Sequence, residues 1–418
     1  MSDPSRPPRV LLGAGGSTNV TPESAADHAA DICMERLEGV SPSLLLAFAT
    51  PSHAPAFQTI CARLRERTGA SSVLGVIGAG AMAGRGALEH GFALSAFAMA
   101  GEDLTVHAMA ADAVDADDAG LLAQENRRVT FAFATSDLVG FEDQLSAWDT
   151  VSGDRRAPIV GALVSPPRGP RVAMVANDEP ITSGLVAASV GGSFQFDAWV
   201  AQGCEGIGPL YAVTRAQGDQ ILELNGQPAV DAMRDAIETL DDARRRFLSG
   251  GLFLGRSVAP HKSYYGRDDF LIRRVERVSR EAGAITASEA IGVGETVRFH
   301  IRTPGAAIGD LSMVLGVQRM RGEARGALLF SGAGRGESLH GVSAHEIGAV
   351  GRVLSPPEAG EELAKAGRRI DPRSRFPIPI AGCFGASEIG PIGSEHQMRS
   401  CLHAQTTVVG VFRDLDPA

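Results

Sequence analysis

Short apolar runs recur along the 418-residue chain, separated by glycine, proline and small polar residues. Positions 10–12, 44–49 and 73–77 read as buried strands, because each is apolar at consecutive positions and closes on turn residues. Between them, Thr21 and Pro22 suit the cap and first position of a helix reaching about residue 38, with Ala26, Ala29, Cys33 and Leu37 inward. A second helix is expected over 54–67. Strands are expected at 91–100, 104–111, 129–134 and 158–164, and 171–225 is β-rich with turn glycines. Gln227 and Pro228 open a helix whose Val230, Met233, Ile237 and Leu240 form one apolar stripe. Strands follow at 252–258, 270–276 and 295–302; in the last, Val297, Phe299 and Ile301 alternate with Arg298, His300 and Arg302. A helix over 310–319, a strand at 326–331, a helix over 343–354, a proline- and charge-rich loop at 355–377 and strands at 378–384 and 402–412 complete the expectation.

Two stretches share one order. The strand beginning at Leu44, a helix, a strand running into Gly78-Ala79-Gly80 and a strand from Phe92 form a β-α-β-β unit. The strand from Ala327, a helix, a strand running into Gly385 and a strand from Thr406 repeat it, again with a glycine-rich turn after the second strand. The pattern predicts an α/β (α+β) chain of two mixed domains related by internal duplication. A disordered leader at 1–8 precedes domains at 9–225 and 226–416.

Composition narrows the chemistry. Only two of the 39 basic residues are lysines, Lys262 and Lys365, and neither lies in a phosphate-binding G-x-x-x-x-G-K-[ST] loop. The net charge of −10, with no long basic stripe, argues against nucleic acid. The first residues lack the apolar core of a signal peptide, and no run of 18 apolar residues offers a membrane span. Five scattered cysteines without C-x-x-C spacing read as reduced thiols of a cytoplasmic protein. No metal site or cofactor is expected.

Glycine-rich turns carry the remaining candidates. Gly78-x-Gly80-x-x-Ala83 after a strand has the outline of a dinucleotide fingerprint. However, Gly84, Gly86 and Gly91 make a poor crossover helix, and two β-α units precede it. Three other turns, at Gln202–Pro209, Gly332–Gly336 and Gly382–Gly393, each end a strand with backbone N–H groups that suit a small-ligand site. Cys204, Gly206 and Gly208 represent the first; Gly334, Arg335 and Gly336 the second; Cys383 and Glu388 the third. Arg335 suits an anion clamp, and Glu388 a partner for an ammonium or arginine; a structural ion pair fits either residue equally well. Cys204 or Cys383 acts as a nucleophile only if something lowers its pKa, and no base stands beside either in sequence.

These strings carry a resemblance. Gln202-Gly203-Cys204, Ile207-Gly208-Pro209, Val213-Thr214-Arg215 and Leu224–Ala229 resemble the end of the FIST N domain. Asp269–Arg273, Val297–His300, Leu328–Ser331 with Gly334-Arg335-Gly336, Gly382-Cys383, Glu388–Gly393 and Leu402–Thr406 resemble FIST C. Two departures stand out. Gly332-Ala333 occupies the place of the family's usual Cys-Asn, and Gly161-Ala162 that of a glycine pair. The resemblance implies a sensory signal-transduction module that binds a small polar metabolite, with an amino acid among the candidates, near an interdomain cleft. The two domains use up the chain, so a signalling partner is expected to be a separate protein. The alternatives are an enzyme using Cys204, Cys383 or a dinucleotide at Gly78–Ala83, and an interaction scaffold.

Overall fold

The computed structural model describes residues 10–112, 121–122, 126–152, 157–165, 171–258, 262, 265–266, 269–355, 377–393 and 398–415. The expected leader and most of the 355–377 loop lie outside them. The chain divides into two compact units: one takes the residues up to Val200 and most of those from Met313 onward, and the other spans Ala201–Ser312.

The first unit is one motif used three times. The first copy contains β1 (Leu11–Ser17), α1 (Pro22–Met34), β2 (Leu44–Ala49), α2 (Phe57–Thr68), β3 (Ser72–Ile77), the short β4 (Gly80–Ala83) and β5 (Gly86–Leu88), and β6 (Leu94–Ala100). The second contains β7 (Thr105–Ala111), β8 (Arg127–Thr135), α3 (Phe141–Ser152), β9 (Ile159–Val164), β10 (Met174–Ala176), β11 (Glu179–Ile181) and β12 (Leu185–Gly191). The third opens with β13 (Phe194–Ala201), is interrupted by the second unit, and resumes after it. Its later elements are β21 (Gly326–Gly332), α7 (Glu337–His340), α8 (His345–Leu354), β22 (Ile380–Gly385), β23 (Ser387–Ile392), β24 (Arg399–His403) and β25 (Thr407–Asp414).

Each copy exchanges a hairpin with another. The three six-stranded sheets run β1-β6-β2-β3-β10-β11, β7-β12-β8-β9-β23-β24 and β13-β25-β21-β22-β4-β5. In each, the central pair (β2–β3, β8–β9, β21–β22) is parallel, joined through α2, α3 or α8 as a parallel pair requires. The antiparallel hairpin that completes each sheet comes from a different copy: β10 pairs β3, β23 pairs β9, and β4 pairs β22. The duplication read from the sequence is therefore two members of a set of three.

Register sorts the faces. Along β2, Leu45, Ala47 and Ala49 pack outward beneath the helices, while Leu44, Leu46 and Phe48 point inward. The inward faces of all three sheets share one core. Phe48, Phe133 and Phe330, equivalent residues of β2, β8 and β21, meet there edge to face with centroids 5.5–5.9 Å apart. Small residues let neighbouring strands lie close: a β-carbon on Gly161 or Gly382 would fall 1.8 or 1.9 Å from the carbonyl oxygen of Ala132 or Leu329.

The second unit contains β14 (Cys204–Gln217), β15 (Gln220–Leu224), β16 (Gln227–Pro228), α4 (Ala229–Glu238), α5 (Asp242–Arg245), β17 (Phe253–Ser257), β18 (Phe270–Ser279), β19 (Ala284–Ala287) and β20 (Thr296–Arg302). The order β14-β20-β17-β18-β19-β15 closes through an additional β14–β15 pairing, so these six strands form a barrel, with β16 appended to β15. Residue 225 lies inside this unit. Helix α6 (Pro304–Met320) leads back to the third copy. No helix among the described residues is long and apolar enough to cross a membrane.

Candidate functional site

At the carboxyl end of β21 the chain leaves the core through the Gly332–Gly336 turn, and α8 returns over the outer face of the sheet. The inward positions of the three equivalent strands form layers. Above the phenylalanine layer, Thr50 and Thr135 continue the inward faces of β2 and β8, and Gly332 holds the matching place at the end of β21. Both threonines are buried. Thr50 Oγ1 donates to the Gly91 carbonyl at 2.7 Å and accepts from Ala93 N at 3.0 Å; Thr135 Oγ1 accepts from Gly184 N at 3.0 Å.

Glu388 fills the place of the side chain that Gly332 lacks. It stands on β23 opposite Ala162, and its Oε1 lies 2.9 Å from where a β-carbon on residue 332 would be. A cysteine at this position would collide with this carboxyl unless it turned away. Glu388 is fully buried. Its Oε2 accepts from Thr406 N at 2.7 Å and Thr406 Oγ1 at 2.8 Å, whereas Oε1 has no hydrogen-bond partner. Burial pushes its pKa up to about 8 despite the Thr406 bonds and the Arg335 charge, and Glu346 adds to the rise. Such a group is a neutral acid at pH 7.

Arg335 belongs to an internal ion pair. It is fully buried, with Nε and Nη2 2.9 and 2.7 Å from Glu346 Oε1 and Nη1 3.1 Å from the Gln405 carbonyl. Between ion pair and open clamp, the geometry supports the ion pair. Ser331 and Thr407 donate to Glu346 Oε2, and His340 Nε2 lies 3.5 Å from Oε1. Burial alone would raise Glu346; the Arg335 guanidinium and the hydrogen bonds outweigh it and hold the carboxyl at about 2. The His340 ring stacks on His345 at 4.2 Å.

The other sequence candidates divide by unit. Gly334, Gly336 and Cys383 join Arg335 and Glu388 in the first. Gly336 makes way for Glu89, whose carboxylate accepts from Glu337 N at 2.7 Å. Cys383 is buried beside Phe330 on the inward face; burial pushes its thiol far up, and Glu388 pushes the same way. Cys204, Gly206 and Gly208 belong to the second unit. There Cys204 packs with Phe253, Phe270 and Ile272, Gly206 leaves room for Arg298, and Gly208, at φ +62°, lies against Ala236 of α4. Neither thiol has the exposed, electropositive setting of a nucleophile. The dinucleotide alternative loses its geometry as well, because Gly80–Ala83 forms strand β4 where the fingerprint needs a helix start.

Sequence reasoning passed over Glu346, Thr50, Thr135 and Thr406. Glu346 carries a signal: it sits four residues before Val350 and eight before Leu354 on the buried stripe of α8. An acid on an apolar stripe asks for a partner.

The FIST N domain profile matches residues 43–227, and the FIST C domain profile matches residues 229–391. The chain belongs to the FIST family. FIST domains are in general sensory or signal-transduction domains. This FIST protein is similar over most of its length to the uncharacterized protein Rv0628c of Mycobacterium tuberculosis, with 28% identity over 411 residues covering 97% of this chain and 100% of the relative. The uncharacterized protein Mb0898c of Mycobacterium bovis matches with the same identity, over 97% of this chain and 99% of its own. The junction of the two profiles falls inside the second compact unit, so the family's two named domains and the two units divide the chain differently.

Proposed function

We propose that this FIST protein is a cytoplasmic sensory module that binds a small polar metabolite, an amino acid among the candidates, at the carboxyl end of the first unit's core. Glu388 is the reading residue. The observation that carries this is its unpartnered, fully buried Oε1, held in the space over Gly332. A buried polar atom without a partner costs about 1–3 kcal/mol, and a ligand that satisfies it recovers that cost on binding. Cys383 and the Gly332–Gly336 turn supply walls, and the Arg335–Glu346 pair sets the field. Five free cysteines, four of them buried, suit a reducing compartment. A separate signalling protein reads the occupied state.

Thermal melting against a panel of amino acids, small amines, carboxylates and nucleotides tests the proposal. At least one metabolite is expected to raise the melting temperature of the natural chain and leave Glu388→Gln unmoved. A panel that shifts neither protein, or both alike, contradicts it.

A further inference from the structure

Charge at the site selects among ligands. Arg335 is already matched by Glu346, so the cluster holds one positive charge, one negative charge and the Glu388 carboxyl. The groups facing that carboxyl are the Cys383 thiol of β22, Thr406 before β25, Arg335 after β21 and Glu346 of α8, with His340 and His345 beyond Glu346. With the carboxyl protonated the set is neutral. An added anion would meet no unmatched cation here, whereas an added cation lets Glu388 ionise against it.

The surroundings also suit a donor. Inward along the axis lie three phenyl rings, and aromatic rings attract cations. Thr50 and Thr135 hold the strand-end positions that match Gly332, over which Glu388 Oε1 lies. Each takes part in the hydrogen bonds described above; Thr135 Oγ1 also meets Ser183 Oγ at 3.3 Å and hydrogen-bonds the Asp137 carboxylate, and a hydroxyl accepts up to two. The equivalents of Glu388 in the other two sheets are apolar: Met174 opposite Val76 and Ala81 opposite Cys383. The acid thus breaks a threefold pattern at one place.

We infer that the first unit's inner site takes a protonated primary amine, received by Glu388 Oε1 between Thr50 and Thr135 over the phenylalanine layer. This rests on the ligand-binding reading above and names its ligand class. The exchange balances: the ammonium enters with its charge, and the Glu388 carboxyl gives its proton to solvent as it becomes the counter-ion. Binding is thereby linked to pH. Below the raised pKa of Glu388, and while the amine stays protonated, affinity rises about tenfold per pH unit.

Calorimetric titration of the full chain with methylamine, acetamide and acetate tests the inference. Each probe is run at pH 6 and pH 7 in two buffers of different ionisation enthalpy. Methylamine is expected to bind about tenfold tighter at pH 7 with release of about one proton, while acetamide and acetate fail to bind. Glu388→Gln and Glu388→Met, the latter copying Met174, are expected to keep the melting transition and lose methylamine binding. Binding of acetamide or acetate that requires Glu388 overturns the amine and leaves the ligand site standing. Failure of methylamine beside success of a neutral or anionic panel metabolite does the same. Methylamine binding that survives both substitutions, or no binding by any probe or panel metabolite, overturns both.

Discussion

Two carboxyls in one cluster titrate in opposite directions. Glu388 keeps its proton in the folded chain up to about pH 8, whereas an unfolded glutamate releases it near pH 4.3. Between those values the native state binds more protons, so raising pH weakens it, by at most about 1.4 kcal/mol per unit. Glu346 behaves conversely, because its folded pKa is about 2: its contribution is present above the unfolded value and is lost as pH falls toward 2. Urea unfolding of the natural chain and Glu388→Gln should show the variant gaining relative stability from pH 5 to pH 8; parallel curves would contradict the assignment. Arg335→Met strands a buried carboxylate and is expected to cost about 3–5 kcal/mol. Much of that should return in Arg335→Met with Glu346→Leu, which a double-mutant cycle on unfolding midpoints checks. The sequence pointed to Arg335 and Glu388 through their glycine-rich settings. It did not show that Arg335 already has a carboxylate partner, because Glu346 lies eleven positions away on another element.

At the scale of elements, glycine has two opposite meanings here. Gly382 lies in β22 against the Leu329 carbonyl of β21, with 1.9 Å for a β-carbon. Gly382→Ala must part a parallel strand pair and should cost about 3 kcal/mol or prevent soluble expression. Gly316 lies in α6 with nothing within 4 Å of its β-carbon position, so Gly316→Ala should stabilise by about 1 kcal/mol. Chemical denaturation of the two variants against the parent decides both. Strands β2, β3, β17, β20 and β21 were legible as apolar or alternating runs. Helix α3 was not recognised, although Phe141, Leu145 and Trp148 stand at helical spacing and are buried. The first helix ends at Met34, before the expected 38; the chain goes on through a turn in which Glu38 and Gly39 are left-handed at φ +53° and +82°. Strands β4, β5 and β23 are not legible because each begins at a glycine or serine just past a turn, and β4 and β23 pair with β22 and β9, far away in sequence.

The whole first unit is a threefold repeat built by exchange. Each sheet takes its last hairpin from another copy, so no copy can complete its sheet alone, and the three inner faces bury one core. Truncating any ring of the central triangle, by Phe48→Ala, Phe133→Ala or Phe330→Ala, should cost a similar amount, about 3–5 kcal/mol. A tolerated change at one ring beside a severe loss at another would deny the shared core. The sequence revealed two of the three copies. The third was written in it as well, since Ala47-Phe48-Ala49-Thr50 recurs as Ala132-Phe133-Ala134-Thr135. It was hidden because β9 ends at Val164 without the glycine turn that marks β3 and β22.

Threefold repetition gives the Glu388 site its meaning, for a neutral buried acid stands where the matching positions are Met174 and Ala81. Infrared difference spectroscopy of the natural chain against Glu388→Gln observes that acid directly. A protonated carboxyl band is expected at pH 7 that vanishes, with a carboxylate band in its place, when methylamine is added. A carboxylate band already present in the empty protein at pH 6, unchanged by the amine, would contradict it.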